Sequence, residues 1–222
     1  MLEINPAWTT PKRLYHLAAD WQSVMKDYDL SLTGSAIKQE NILGPKDTWP
    51  PAWHPSTSTD GSITKGSSVS ILAEYEGHSL LLPGDAFADD LVDSLAKLQQ
   101  ERGLGDSKLP VAALKLPHHG SARNITEKLL SSIQCGYYLI STDGSGQQRH
   151  PDHQALLSIL KYSTMEPCLA FNYDNDTTRR WHDFKNEVPD LGGRGYETIY
   201  PADPNKGLVL VWEKDGPIPK SV

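Results

Sequence analysis

Carboxylate and imidazole side chains follow three short apolar runs in this sequence. Each run has the composition of a buried β-strand. If the runs are neighbouring strands, their carboxyl ends meet at one edge of a sheet. Carboxylate oxygens and neutral imidazole nitrogens both bind zinc, manganese and iron, so these groups together predict a metal site. The residues are Asp85 after the first run, His118 and His119 after the second, and Ser141, Asp143, His150 and His153 after the third.

Each of these residues also has a structural explanation when it is taken alone. An aspartate after a strand commonly forms a turn or caps a helix, and Asp85 directly precedes an amphipathic segment. For the pair His118 and His119, the alternative explanation is an ordinary position on the surface or in the core. His150 and His153 flank the start of a helix, where a cap or a solvated position is the alternative. The order of the three positions, rather than any one residue, favours the metal site.

The elements that position these groups alternate between strand-like and helix-like segments. Val69, Ile71 and Ala73 alternate with neighbours in a strand, and Glu76-Gly77 turns the chain into a hairpin. Alternating strands and helices predict an α/β fold. We predict strands over residues 67–75, 79–82, 111–116, 137–141, 168–172 and 208–212, and helices over residues 86–100, 124–133 and 151–162, with Thr126 as a cap and Pro151 in a first helical turn.

The two ends of the chain are less regular. Residues 1–35 are predicted to form an N-terminal helical segment, with one helix over residues 11–28. Residues 34–66 are crowded with Pro, Gly, Ser and Thr and predict a long surface loop. Residues 36–222 are predicted to form the main domain. Residues 174–206 are polar and carry no clear periodicity.

Composition and charge narrow the function classes. The formal net charge is −7, which argues against non-specific binding to nucleic acid but leaves a nucleic-acid substrate open. No apolar run approaches the ~20 residues of a membrane-spanning helix, and the N-terminus has no signal-peptide pattern. We therefore expect a cytoplasmic protein without a membrane partner. Cys135 and Cys168 lie in apolar segments and are predicted to be buried and unpaired.

Several of these motifs together resemble metallo-β-lactamase-fold hydrolases. The branch most similar to them includes the hydrolase-like domains of competence DNA-uptake channels. The resemblance covers about residues 36–172, so that residues 36–222 would form a partial metallo-β-lactamase-like domain, and it implies the C-terminal half of an αββα sandwich. The motifs that carry it are Leu-Pro-Gly-Asp85-Ala, Leu-Pro-His118-His119-Gly-Ser121, Ile-Ser-Thr-Asp143-Gly and His150-Pro-Asp.

The resemblance implies roles for particular residues. Asp85 would bridge two metal ions, expected to be zinc, with manganese or iron as alternatives. His118 or His119 would be a terminal ligand of the second metal ion, and His119 is favoured because a small residue follows it. The other histidine, Ser121 and His150 would line the substrate side, where His150 would contact a phosphate or leaving group. The reaction implied is metal-assisted hydrolysis, with a phosphodiester as the preferred substrate.

The chain departs from this family in one large respect. The family's main metal motif, His-x-His-x-Asp-His, is absent, and no two of the eight histidines are separated by one residue. A missing N-terminal half, a partner chain or a homo-oligomer would then have to complete the site. The alternative is a non-catalytic interaction module or an inactive truncated remnant. Exposed tryptophans at 8, 21, 49 and 53 would favour that alternative, and buried ones would belong to the core.

Overall fold

A mixed seven-stranded sheet forms the centre of the protein. A computed structural model describes the backbone of residues 3–7 and residues 49, 51–54, 67–144, 149–186, 195–213 and 216–220. The strands lie side by side in chain order; the second is antiparallel to both the first and the third, and the third to seventh run parallel. They are β1 (Glu3–Ala7), β2 (Ser70–Tyr75), β3 (His78–Leu82), β4 (Leu109–Lys115), β5 (Ile133–Ile140), β6 (Cys168–Phe171) and β7 (Glu197–Ile199). The protein is therefore an α/β protein, as the sequence predicts.

Four helices in the described residues contribute side chains to a hydrophobic core. Other core side chains come from one face of the sheet. Leu81, Leu114 and Tyr138 are fully buried there, as are Leu129 and Leu156 from two of the helices. Burying a leucine side chain contributes about 1.5–3 kcal/mol, so this layer is a principal source of stability. The helices are α1 (Ala88–Glu101), α2 (Glu127–Ser132), α3 (His153–Tyr162) and α4 (Asp176–Asp183), and two 3₁₀ turns span Pro117–Gly120 and Phe184–Asn186.

Some of the strand side chains on the opposite face of the sheet are only half-buried. Leu80 and Ala112 point away from the core, because successive side chains of a strand alternate between its faces. They line a groove of about 730 Å³ together with Leu210 and Trp212. Those last two belong to a separate antiparallel hairpin of β8 (Val209–Glu213) and β9 (Gly216–Lys220).

The local signals in the sequence explain most of these elements. Thr126 caps α2 as predicted, because its side chain accepts a hydrogen bond from the N–H of Leu129. The third predicted helix begins two residues later than expected, with Asp152 at its N-cap position and Pro151 outside the helix. Both cysteines are buried and free, which confirms that prediction.

Two elements appear in the region that the sequence left unassigned. Helix α4 begins with a capping box in which Asn175 and Thr178 bond each other's backbone N–H groups. Its Trp181 is buried in the core, and β7 follows as the seventh strand. The Asn-x-x-Thr spacing was a readable helix start, but a single apolar residue in an otherwise polar helix hides the usual periodicity.

The predicted N-terminal helix and most of the predicted loop lie outside the described residues. Within residues 1–35 the structure describes β1, an unpredicted strand that pairs with β2. Trp49 packs on Trp181 and Phe184, and Trp53 packs on Tyr162, so both are partly buried parts of the core. Trp8 and Trp21 fall outside the described residues. None of the helices in the described part combines the length and apolar character needed to cross a bilayer.

Candidate functional site

The loops that carry the predicted site residues meet at one edge of the sheet. Strands β3, β4 and β5 are adjacent and parallel, so the segments after them begin at the same edge. The backbone N–H of His118 donates to the carbonyl of Gly84 at 2.9 Å, which joins the first two loops. The N–H of Leu116 donates to the carbonyl of Leu139 at 2.9 Å and aligns the second loop with the third.

Asp85 is half-buried at the end of the first loop. Its backbone N–H donates to the hydroxyl of Ser68 at 3.0 Å, which ties the turn to the segment before β2. Lys115, the last residue of β4, lies near enough for its positive charge to interact with Asp85. Burial lowers the pKa of Lys115, and the attraction of Asp85 partly offsets this effect. The first and second loops therefore place opposite charges close together.

His118 and His119 both adopt a left-handed backbone conformation. Their φ angles are 46° and 54°, in a region that side chains other than glycine seldom occupy. Each such residue costs about 1–2 kcal/mol relative to the right-handed form. Two consecutive strained residues persist only where the surrounding structure holds them, and such positions are concentrated at functional sites.

The two imidazoles lie in different surroundings. His118 is half-buried, and its Nδ1 lies 3.3 Å from Oδ1 of Asn124, a fully buried side chain. His119 is exposed, and its Nδ1 lies 3.4 Å from the hydroxyl of Ser141 at the end of β5. Both histidines thus have Nδ1 beside an oxygen, but only His118 is enclosed.

Buried His150 and half-buried Asp152 form a pair behind this loop. His150 is 9% exposed, and its Nδ1 lies 3.2 Å from Oδ1 of Asp152. The other carboxylate oxygen accepts the N–H of Ala122 at 2.8 Å. Burial acts to raise the pKa of Asp152, but the hydrogen bonds from His150 and Ala122 and the nearby imidazoles outweigh it and lower that pKa. The ring of His150 meets the ring of His118 edge to face, with centroids 4.9 Å apart.

The loop after β4 and the segment before α3 approach each other closely, and this contact holds the arrangement in place. The N–H of Asp152 donates to the carbonyl of Gly120 at 2.9 Å. Gly120 has a φ of 91°, and a Cβ there would lie 2.8 Å from Cβ of Pro151. Only glycine fits between the loops, because any side chain would clash with the proline ring.

The remaining predicted site residues are placed differently. Ser121 is 3% exposed, and its hydroxyl accepts the N–H of Arg123 at 3.4 Å within the same turn. His153 is the first residue of α3 and packs against Trp49 and Trp181, away from the pair of histidines. The Nε2 atom of His150 is inaccessible to solvent and has no hydrogen-bond partner among the described residues. The roles of Ser121 and His150 on the substrate side therefore remain predictions. They would require the substrate to reach side chains that are buried.

The donor types at this edge suit zinc, but their number does not complete a site. Within the part of the chain that the structure describes, no three His, Cys, Asp or Glu side chains are grouped so that they could hold a metal ion. A tightly bound catalytic zinc normally has three protein ligands. Any further ligand would have to come from residues outside the described ranges or from another chain.

Sequence reasoning missed the residues that support the predicted ones. Asn124 was assigned only to a helix, Asp152 only to a motif, and Lys115 only to a strand. The contact of Asn124 with His118 depends on the left-handed turn between them, which no local pattern in the sequence indicates. The role of Asp152 depends on how the third loop folds back, which no spacing in the sequence reveals.

Comparison with known proteins does not identify a family. No model of a known protein family matches the chain, and no curated protein is detectably similar to it.

Proposed function

We propose that this chain carries part of the site of a metal-dependent hydrolase of the metallo-β-lactamase superfamily, acting on a phosphodiester. The observation that supports the proposal is that the loops bearing Asp85, His118 and His119 begin at the same carboxyl edge of parallel strands and are joined by a backbone hydrogen bond. The strained backbone of the two histidines adds to it, since such strain is concentrated at functional sites. The chain is proposed to form half of an αββα sandwich and to act in the cytoplasm.

The described residues of this chain would bind and orient the metal ion and the substrate. They would not supply all of the metal ligands. Asp85 supplies a carboxylate in a turn held by Ser68, and Lys115 beside it supplies positive charge for a phosphate. His118 or His119 supplies an imidazole. A zinc ion, when bound, would activate water and polarise the phosphodiester. Because no three His, Cys, Asp or Glu side chains among the described residues are grouped to hold a metal ion, residues outside the described ranges or a second copy of the chain are proposed to supply the other ligands.

Hydrolysis of bis(p-nitrophenyl) phosphate with added zinc or manganese tests this function. We expect Asp85→Asn to lower kcat/KM by about 100-fold or more, because an interaction that acts in the transition state is lost. Asp106→Asn, in an exposed turn, is the matched control and should stay within about threefold of wild type. Equal activity in wild type and Asp85→Asn would count against the proposal.

The rival function is a non-catalytic interaction module. The burial of Trp49 and Trp53 removes the tryptophans that would have favoured it in the described region. The rival predicts no metal-dependent hydrolysis under any of these conditions. It also predicts that Asp85→Asn and Asp106→Asn behave alike.

A further inference from the structure

We infer that the groove between the sheet and the β8–β9 hairpin binds a small amphiphile with an apolar tail and a positively charged head. The groove has a volume of about 730 Å³. Small-molecule sites commonly have volumes of about 300–1,000 Å³. It lies beside the turn at Glu76 and Gly77, at the opposite end of β3 from Asp85. Binding there goes beyond the proposed hydrolase function and does not depend on it.

The floor of the groove is one face of the hairpin formed by β2 and β3. The register pairs Ala73 with Leu80 and Tyr75 with His78, and all four residues line the groove. Directly paired residues of antiparallel strands share one face. Leu81, the residue after Leu80, is fully buried in the core on the other face. The floor therefore consists of strand side chains that the core does not use.

The roof of the groove is β8, which contributes Leu210 and Trp212. The ring of Trp212 meets the ring of Tyr137 on β5, with centroids 6.2 Å apart. Gly216 in β9 also approaches Tyr137, because a Cβ there would lie 3.1 Å from the hydroxyl oxygen. The hairpin thus rests on β5, and a space remains between β8 and the floor. Apolar side chains on both sides suit an alkyl or aromatic tail, since burial removes apolar surface from water.

The rim of the groove, formed by Glu76 and Glu213, carries negative charge. Both glutamates are exposed and both line the groove. Glu76 raises the pKa of Tyr75, first through a hydrogen bond and then through its charge. Among the described residues, no lysine or arginine lines the groove, and histidines are ordinarily neutral at about pH 8. The rim is therefore complementary to a cation, which the aromatic rings of Tyr75 and Trp212 would also attract.

The rim distinguishes between ligands that share the same tail. An anionic head group would lie near the two glutamates and be repelled by them. A neutral head group would leave the tail its apolar contacts but would gain nothing from the rim. A cationic head group gains from both, so the structure favours this class.

Calorimetric titration of the full chain at about pH 8 with octyltrimethylammonium, 1-octanol and octanoate tests the site. The three probes share an eight-carbon tail and differ in head-group charge. We expect the cation to bind at least about tenfold tighter than the anion, and this difference to shrink at about 0.5 M salt. Equal affinities, or tighter binding of octanoate, would overturn the choice of a cation. Binding of none of the three would overturn the site, because the groove would then be filled or closed in the full chain.

The indole signal of Trp212 in nitrogen-15 NMR locates the bound tail. Trp212→Phe assigns this signal among the six tryptophans, and we expect it to move as octyltrimethylammonium binds. Ala73→Leu should weaken binding of all three probes at least about tenfold, because the larger side chain excludes part of the tail from the floor. Binding without a shift of the Trp212 signal would place the probe elsewhere and overturn the inference. The wild-type spectrum decides this even if Ala73→Leu does not fold.

Two double substitutions separate the rim from the net charge of the chain. Glu76→Gln with Glu213→Gln should weaken binding of octyltrimethylammonium about 3–10-fold and leave that of 1-octanol unchanged. Glu101→Gln with Glu166→Gln is the matched control, since it removes the same charge at exposed positions that do not line the groove. An equal loss in the control would overturn the role of the rim. None of these results bears on the hydrolase proposal.

Discussion

At the scale of single residues, the left-handed backbone of His119 carries a free-energy cost that the fold does not require. Its φ of 54° is strained, and its exposed imidazole makes one long contact with Ser141. Glycine adopts this conformation without the steric penalty. We expect His119→Gly to raise the free energy of unfolding by about 1 kcal/mol. The melting temperature should then rise by about 2–4 °C, as measured by thermal unfolding.

His182→Gly is the matched control for this substitution. His182 is also exposed, but it lies in α4 with an ordinary helical backbone, where glycine costs about 1 kcal/mol. Destabilisation by both substitutions would mean that the His119 side chain supports the fold. Stabilisation by His119→Gly alone would mean that its strain is retained for a reason other than stability.

At the scale of elements, Asp152 connects the loop after β4 to the start of α3. Its carboxylate binds His150 and the N–H of Ala122, and its pKa is lowered by these partners. A carboxyl with a lowered pKa stabilises the fold above its unfolded pKa, about 3.9, and this contribution disappears as the pH falls through the folded pKa. Stability should therefore decrease in acid partly because this connection is lost.

Asp152→Asn tests this connection by denaturant unfolding at two pH values. At pH 7 we expect the substitution to lower the free energy of unfolding by about 1 kcal/mol, since a charged hydrogen-bond acceptor is lost. At about pH 3 the difference from wild type should be smaller than at pH 7, because this contribution decreases as the pH falls below the unfolded pKa of about 3.9 and is lost through the lowered folded pKa. Asp106→Asn should change little at either pH. A difference for Asp152→Asn that stays constant between the two pH values would show that its carboxylate charge does not stabilise the loop.

The order of the strands and helices around the site was predictable from the sequence. The contacts that hold the site side chains in place were not. The strands after which Asp85, His118 and His119 stand are short apolar runs between Gly and Pro, a pattern that survives without tertiary information. The partnership of Asn124 with His118 depends on two consecutive left-handed residues. Propensity gives no reason for such a conformation at histidine, so this contact could be seen only in the folded chain.

At the scale of the whole molecule, the two faces of the sheet are treated differently. One face is buried under the helices, while Leu80 and Ala112 on the other face line the groove beside the β8–β9 hairpin. The hairpin packs against this second face, where the ring centroids of Trp212 and Tyr137 lie 6.2 Å apart.

The measurement that tests the central claim most directly is the zinc content of the purified full chain. After equilibration with zinc and removal of the excess, elemental analysis should find near-stoichiometric zinc in wild type and in Asp106→Asn. Asp85→Asn should retain little or none, because the proposed bridging carboxylate is lost. Equal zinc in wild type and Asp85→Asn, or no zinc in wild type, would contradict the claim that this edge of the sheet belongs to a metal site.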